Sequence, residues 1–220
     1  MKISLCMSLL TCAFFQTCPL WASVYYVDFG RSNITTPGNW NNVTSATSLT
    51  DIVDENGVNT AGIDLAFGGN VGGSNNDSSL TYTTDFPDTA NRDFIYTTGT
   101  MTLTLSDLNP SQTYSLKLFA SRVTGDNRTT LFTITNGTLN ASSNQSLFVS
   151  NNTGTTITFT DVVPTAGNQI SLSIAPQDAA SNWGYISALE ITAIPEPRSF
   201  LLFIAGAGFV LIHLKRKRCA

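Results

Sequence analysis

Polar and apolar residues alternate strictly over residues 100–106, which read Thr-Met-Thr-Leu-Thr-Leu-Ser. That is the period of a β-strand with one face buried. Residues 114–120 repeat it, and the pattern turns Tyr114, Leu116, Leu118 and Ala120 inward. Residues 156–160 and 169–174 follow the same rule, residues 24–29 open the series as a strand, and residues 186–193 close it. Turn signals stand between these segments: Leu108-Asn109-Pro110, Thr124-Gly125-Asp126-Asn127, Asn136-Gly137 and residues 164–168. Residues 30–93 are looser, and the glycine- and asparagine-rich stretch 68–77 reads as one long loop. No sustained helical stripe interrupts the series. Short strands at regular spacing predict an all-β fold, an antiparallel β-sandwich or jelly roll.

The two ends of the chain break the pattern. Met1-Lys2, an apolar run over residues 3–15 and a small residue at Ala22 have the form of a secretory signal peptide spanning 1–22, cut after Ala22. At the other end Pro195-Glu196-Pro197 precedes an apolar run over 199–214, and Lys215, Arg216, Lys217 and Arg218 follow it. The run has 16 residues, somewhat fewer than the roughly 20 that cross a bilayer at full thickness. A helix over 199–214 with four basic residues after it predicts a single span whose basic end stays cytoplasmic. The Pro-Glu-Pro motif, the apolar run and the basic cluster, in that order over residues 194–220, resemble the PEP-CTERM sorting signal of exported bacterial proteins. That resemblance implies an exosortase-type processing peptidase as partner. It also implies membrane anchoring before processing, and a cell-surface or extracellular destination afterwards. The division is then 1–22 signal peptide, 23–194 exported domain and 195–220 sorting tail.

Cysteine and charge sharpen this division. All four cysteines (Cys6, Cys12, Cys18 and Cys219) lie in the terminal segments, so residues 23–194 must hold together by an ordinary hydrophobic core. At 172 residues that region is long enough to build one. It carries five basic side chains (Arg31, Arg92, Lys117, Arg122 and Arg128) against fourteen acidic ones, a balance of −9. An acidic domain without a basic stripe argues against nucleic acid as a partner, because affinity there comes mainly from neutralised phosphates.

Missing residue types narrow the chemistry further. The single histidine, His213, falls in the apolar tail, so the exported region has neither His nor Cys. Ser-His-Asp and Cys-His catalysis and ordinary zinc sites are thereby excluded for that region. Carboxylate chemistry and binding remain. A hydrolase would need two carboxyl groups across a sugar cleft, with Asp85, Asp88 and Asp93 as candidates. Asp51, Asp54 and Glu55, on the stretch Asp51-Ile52-Val53-Asp54-Glu55-Asn56-Gly57, are candidate ligands for a structural calcium ion. Their spacing departs from an EF-hand loop, and the stretch reads more readily as a solvated acidic turn. No other cofactor is expected.

Exposed aromatic rings are the usual platforms for sugars. Trp40, among Pro37-Gly38-Asn39-Trp40-Asn41-Asn42, and Trp183 with Tyr185, in Ser181-Asn182-Trp183-Gly184-Tyr185, stand where loops are expected. Core capping is the alternative for each ring. Arg122 and Arg128 flank a loop and suit bidentate binding of carboxylates, or pairing with local acids such as Asp93 or Asp126. Val27-Asp28-Phe29-Gly30, Leu108-Asn109-Pro110, Phe119-Ala120-Ser121-Arg122 and the closing Gly184-Tyr185-Ile186-Ser187-Ala188-Leu189-Glu190-Ile191 resemble galactose-binding-like and malectin-like β-sandwich modules. That resemblance implies a surface or matrix protein, structural or polysaccharide-binding, with exopolysaccharide as partner. A carbohydrate-active hydrolase using paired carboxylates is the alternative.

Overall fold

A computed structural model of the chain describes residues 22–59, 62–77, 79–177 and 181–195. The residues before Ala22 read above as a signal peptide, the span expected over 199–214 and the basic cluster at 215–218 lie outside the described residues. Among the described residues no helix is long and apolar enough to cross a membrane.

The described chain is all-β. One five-stranded sheet has the order β10-β7-β13-β1-β2, built from β1 (Ser23–Gly30), β2 (Trp40–Thr44), β7 (Gln112–Phe119), β10 (Ile157–Val162) and β13 (Ala188–Pro195). A second has the order β3-β6-β11-β8-β9, from β3 (Asp64–Gly69), β6 (Met101–Ser106), β8 (Thr129–Asn136), β9 (Asn144–Phe148) and β11 (Ile170–Pro176). A small third sheet, β12-β5-β4, joins β4 (Gly73–Asn76), β5 (Asp93–Thr97) and β12 (Gly184–Ile186). Every pairing is antiparallel except β1 with β2, which run parallel.

The alternating segments fold as the pattern predicts. β6 buries Met101, Leu103 and Leu105 and turns the intervening threonines outward. β7 buries Tyr114, Leu116 and Leu118. Those side chains, with Tyr25 and Val27 of β1 and Leu189 and Ile191 of β13, form one core with Leu172 and Ile174 of β11 and Phe132 of β8. The two large sheets therefore pack face to face. A smaller apolar cluster of Phe86, Ala90, Phe119 and Ala188 covers part of the other face of the first sheet, under the short helix α1 (Asp88–Arg92).

Three local expectations are corrected. The stretch 68–77 is not one loop: it ends β3, turns, and forms β4, because its backbone pairs with β6 and β5 despite a composition poor in strand formers. The closing strand over 186–193 is two strands. Ser187 sits at the switch, donating its N–H to the Phe119 carbonyl at 2.9 Å and accepting from Phe29 N–H at 2.8 Å. β12 before it belongs to the small sheet, and β13 after it runs between β1 and β7. Trp40 is not in a loop but opens β2, opposite Tyr26.

Candidate functional site

The small sheet carries an aromatic face whose composition follows from register. Tyr185 of β12 lies opposite Tyr96 of β5, and Asn75 of β4 lies opposite Phe94. Phe94 and Tyr96 are two residues apart and share one face of their strand. All four side chains therefore project to the same side. Gly72 and Gly73 make room for them: a Cβ at Gly72 would stand 2.8 Å from the Tyr96 ring, and Gly73 holds φ +145°, which a side chain would strain. Phe94 and Tyr185 meet edge to face at 5.3 Å between centroids.

Two arginines and a tryptophan complete the site from the flanking loops. Arg122 follows β7, Arg128 precedes β8 and Trp183 precedes β12. Trp183 packs edge-on against Tyr96 at 5.2 Å. The Arg128 guanidinium lies 5.8 Å from the ring centres of both Trp183 and Tyr185, and that of Arg122 lies 5.4 Å from Phe94, within cation–π range. Arg122 Nη1 donates to Asp77 Oδ1 at 2.7 Å, and the other Asp77 oxygen accepts from Val123 N–H at 2.8 Å. Arg128 Nη2 donates to Asp126 Oδ2 at 2.9 Å and its Nη1 donates to the Tyr185 hydroxyl. Of the two acids proposed for local pairing, Asp126 is therefore a partner of Arg128. Asp93 pairs with neither arginine, and Asp77 takes Arg122.

Asn75, Phe94, Tyr96, Arg122, Arg128, Trp183 and Tyr185 enclose an open cavity of about 200 Å³. A second cavity of about 380 Å³ adjoins it across Arg128 and Trp183, bounded by Asp126, Asn127, Ser181 and Asn182. Four of the five residues singled out as sugar-binding candidates thus converge: Trp183, Tyr185, Arg122 and Arg128. Tyr185 contributes differently from the expectation. It is 2 % exposed, a ring of the pocket floor and not a free platform, and burial pushes its phenol pKa up.

Trp40 stands apart. It stacks on Tyr26 at 5.0 Å and 23° and meets Phe86 edge-on at 6.1 Å, in the smaller apolar cluster over the first sheet. The parallel pairing of β2 with β1 places the two rings side by side, so Trp40 caps that cluster.

Two of the three calcium candidates, Asp54 and Glu55, use their carboxylates locally. Asp54 Oδ1 accepts from Asn56 N–H and Val58 N–H, both at 2.9 Å. Glu55 Oε2 accepts from Val24 N–H at 2.6 Å and so fastens the start of β1, while Asp51 offers its own N–H to Asp64 at 2.8 Å. Among the described residues no group of three or more His, Cys, Asp or Glu side chains is placed to hold a metal ion.

The proposed hydrolytic acids do not assemble as a facing pair on a cleft. Asp85 is exposed and paired with Lys117 at 2.8 Å, which holds its carboxyl below the usual range, and Asp88 is exposed on α1. Asp93 is fully buried. Asp28, also buried, lies beside it, and among the described residues Asp28 Oδ1 and Asp93 Oδ1 are buried without a hydrogen-bond partner. Asp93 Oδ2 accepts from Arg31 N–H and Asp28 Oδ2 from Thr36 N–H, each at 3.0 Å. Burial, then the Asp28 charge, pushes Asp93 up to about 8, and burial raises Asp28 as well.

Pro195 ends β13, paired with Gln112; Glu196 and Pro197 lie outside the described residues. Sequence reading missed Asn75, Asp77, Phe94 and Tyr96. The period-two spacing of Phe94 and Tyr96 was available as a signal; Asn75 and Asp77 stand in an asparagine-rich stretch with nothing to mark them.

No family model matches the chain, and no curated protein matches it. Among solved structures it is similar to the plant receptor-like kinase FER, at 12% identity and TM-score 0.44, over 80% of this chain and 43% of that one. It is also similar to the ANXUR1 extracellular domain from Arabidopsis thaliana, at 13% identity and TM-score 0.45, over 78% and 48%. A third likeness is to Bacteroides uniformis beta-glucuronidase 2, at 9% identity and TM-score 0.46, over 76% and 17%. The chain spans less than half the length of each of the three. Likenesses this loose carry no argument about its activity.

Proposed function

We propose that this chain is an exported surface or extracellular-matrix protein whose β-domain binds polysaccharide, without catalysis, in the Trp183 pocket. The observation that carries the reading is the convergence of Trp183, Tyr96 and Phe94 with two guanidiniums on one open cavity. Ring faces stack on the apolar C–H face of a pyranose, and planar guanidiniums fix its polar groups. The adjoining second cavity suits a chain of sugars better than a single small ligand. The tail over 195–220 sorts the protein: an exosortase-type peptidase cuts near Pro195, and the span 199–214 anchors the chain until then. Nucleic acid is not a partner on this reading.

The test is affinity electrophoresis of the full chain in detergent through gels cast with polysaccharides. Trp183→Ala should abolish retardation while lowering stability by only about 1 kcal/mol, since the ring is only partly buried at the edge of the core. Retardation that survives the substitution would refute the pocket as the binding site.

A further inference from the structure

We propose that the Trp183 pocket selects an acidic sugar unit, its oxyanion held between Arg122 and Arg128 and its ring against Trp183. The proposal rests on the polysaccharide-binding reading above and adds the ligand's chemistry.

The argument is an inventory of donors and acceptors. Each guanidinium presents a planar fork of N–H donors and no acceptor. Among the described residues Arg122 commits one side-chain donor, to Asp77. Arg128 commits two, to Tyr185 and Asp126. Neither guanidinium has a buried nitrogen left unsatisfied, so the remaining donors face the cavity or the solvent at its mouth. Among the described residues the lining supplies few side-chain acceptors to balance them: the Asn75 amide oxygen, which already accepts from Asn76 N–H at 2.9 Å, and two tyrosine hydroxyls, one of which already receives Arg128. Asp77 is not among the lining residues of this cavity, and Asp126 lines only the adjoining one. Among the described residues Arg122 and Arg128 are thus the only charged side chains in the lining.

A neutral sugar presents hydroxyls that donate as readily as they accept, and few side-chain acceptors in the described lining are open to receive them. A carboxylate or sulfate only accepts, and two guanidinium forks match it in charge and geometry. The aromatic faces behind both guanidiniums keep water from one side of each, which strengthens a charge-assisted bond. The −9 balance of residues 23–194 opposes a polyanion at long range. At physiological ionic strength that repulsion is screened beyond roughly 8 Å, whereas contact inside the pocket is not.

Affinity electrophoresis of the full chain against a polyuronate, a sulfated galactan and a neutral glucan tests the idea. Asn75→Asp places a like charge in the lining from an exposed position and should weaken polyuronate binding at least tenfold without shifting the melting temperature. Arg128→Lys keeps the charge but removes the fork, and should weaken polyuronate binding severalfold. Stronger retention on the sulfated polymer, with the same response to Asn75→Asp, supports the pocket and identifies sulfate as the oxyanion. Equal retention on neutral glucan, unmoved by Asn75→Asp, overturns the acidic ligand and leaves polysaccharide binding standing. Retention on none of the polymers overturns both.

Discussion

Replacing Asp93 by asparagine isolates the buried Asp28–Asp93 pair, the most strained electrostatic feature of the described fold. Both carboxyls sit in the protein interior, 2 % and 0 % exposed, where burial disfavours charging either and the Asp28 charge opposes ionising Asp93. Asp93 is pushed from its ordinary 3.8 to about 8. Between those values the folded chain holds a proton that the unfolded chain has released, so stability falls as pH rises. It is highest below the unfolded value and levels off above about 8. One pKa unit corresponds to about 1.4 kcal/mol, so from pH 5 to pH 8 the loss is up to about 4 kcal/mol. Asp85, held low by Lys117, is already ionised in that window and contributes nothing to the slope. In the Asp93→Asn variant the new side-chain amide would donate an N–H to Asp28, and its carbonyl would still accept from Arg31 N–H, which removes the proton from the balance. Urea unfolding of residues 23–195 at pH 5, 6.5 and 8 reads the outcome. The wild-type midpoint should fall with pH, and that of Asp93→Asn should stay flat and exceed wild type at pH 8. A wild-type midpoint that is level or rises over this range would refute the proton retained on Asp93.

Gly30→Ala tests the same pair by steric means. A Cβ there would stand 1.6 Å from Asp93 Oδ2, so the carboxyl or β1 must move, and thermal melting should show a loss of about 3 kcal/mol. Trp40→Ala separates the two tryptophans: removing the ring stacked on Tyr26 should cost roughly 2 kcal/mol in denaturant unfolding. The same variant should leave polysaccharide retardation at the wild-type level.

What the sequence disclosed depends on what holds each strand in place. β6, β7 and β11 bury one face against the opposite sheet, and their alternation records it. β3 and β4 carry Asp-Leu-Ala-Phe-Gly-Gly and Gly-Ser-Asn-Asn, too polar and too rich in glycine to advertise a strand. They exist because β6 and β5 offer them backbone partners, a tertiary fact with no local signature. The break at Ser187 was invisible for a related reason: alternation reports which side is buried, not which sheet a strand joins. The site divides along the same line. Trp183, Arg122 and Arg128 are large or charged residues in turn-rich stretches and stand out. Asn75 and Tyr96 belong to the site only because the register of three short strands turns them to one face.

That register also bears on how the proposed sorting and the proposed binding coexist. Ser23 pairs with Ala193, and Pro195 pairs with Gln112, so the described chain enters and leaves at the same end of the first sheet. The other ends of those strands lead to the pocket: Arg122 follows the last residue of β7, and Tyr185 lies just before β13. An eight-residue strand such as β13 separates the two ends by more than about 20 Å. On the proposed reading, a membrane span beginning shortly after Pro195 would hold the domain by one end and present the pocket at the other. Cutting the tail would then change where the domain resides without altering what the pocket meets.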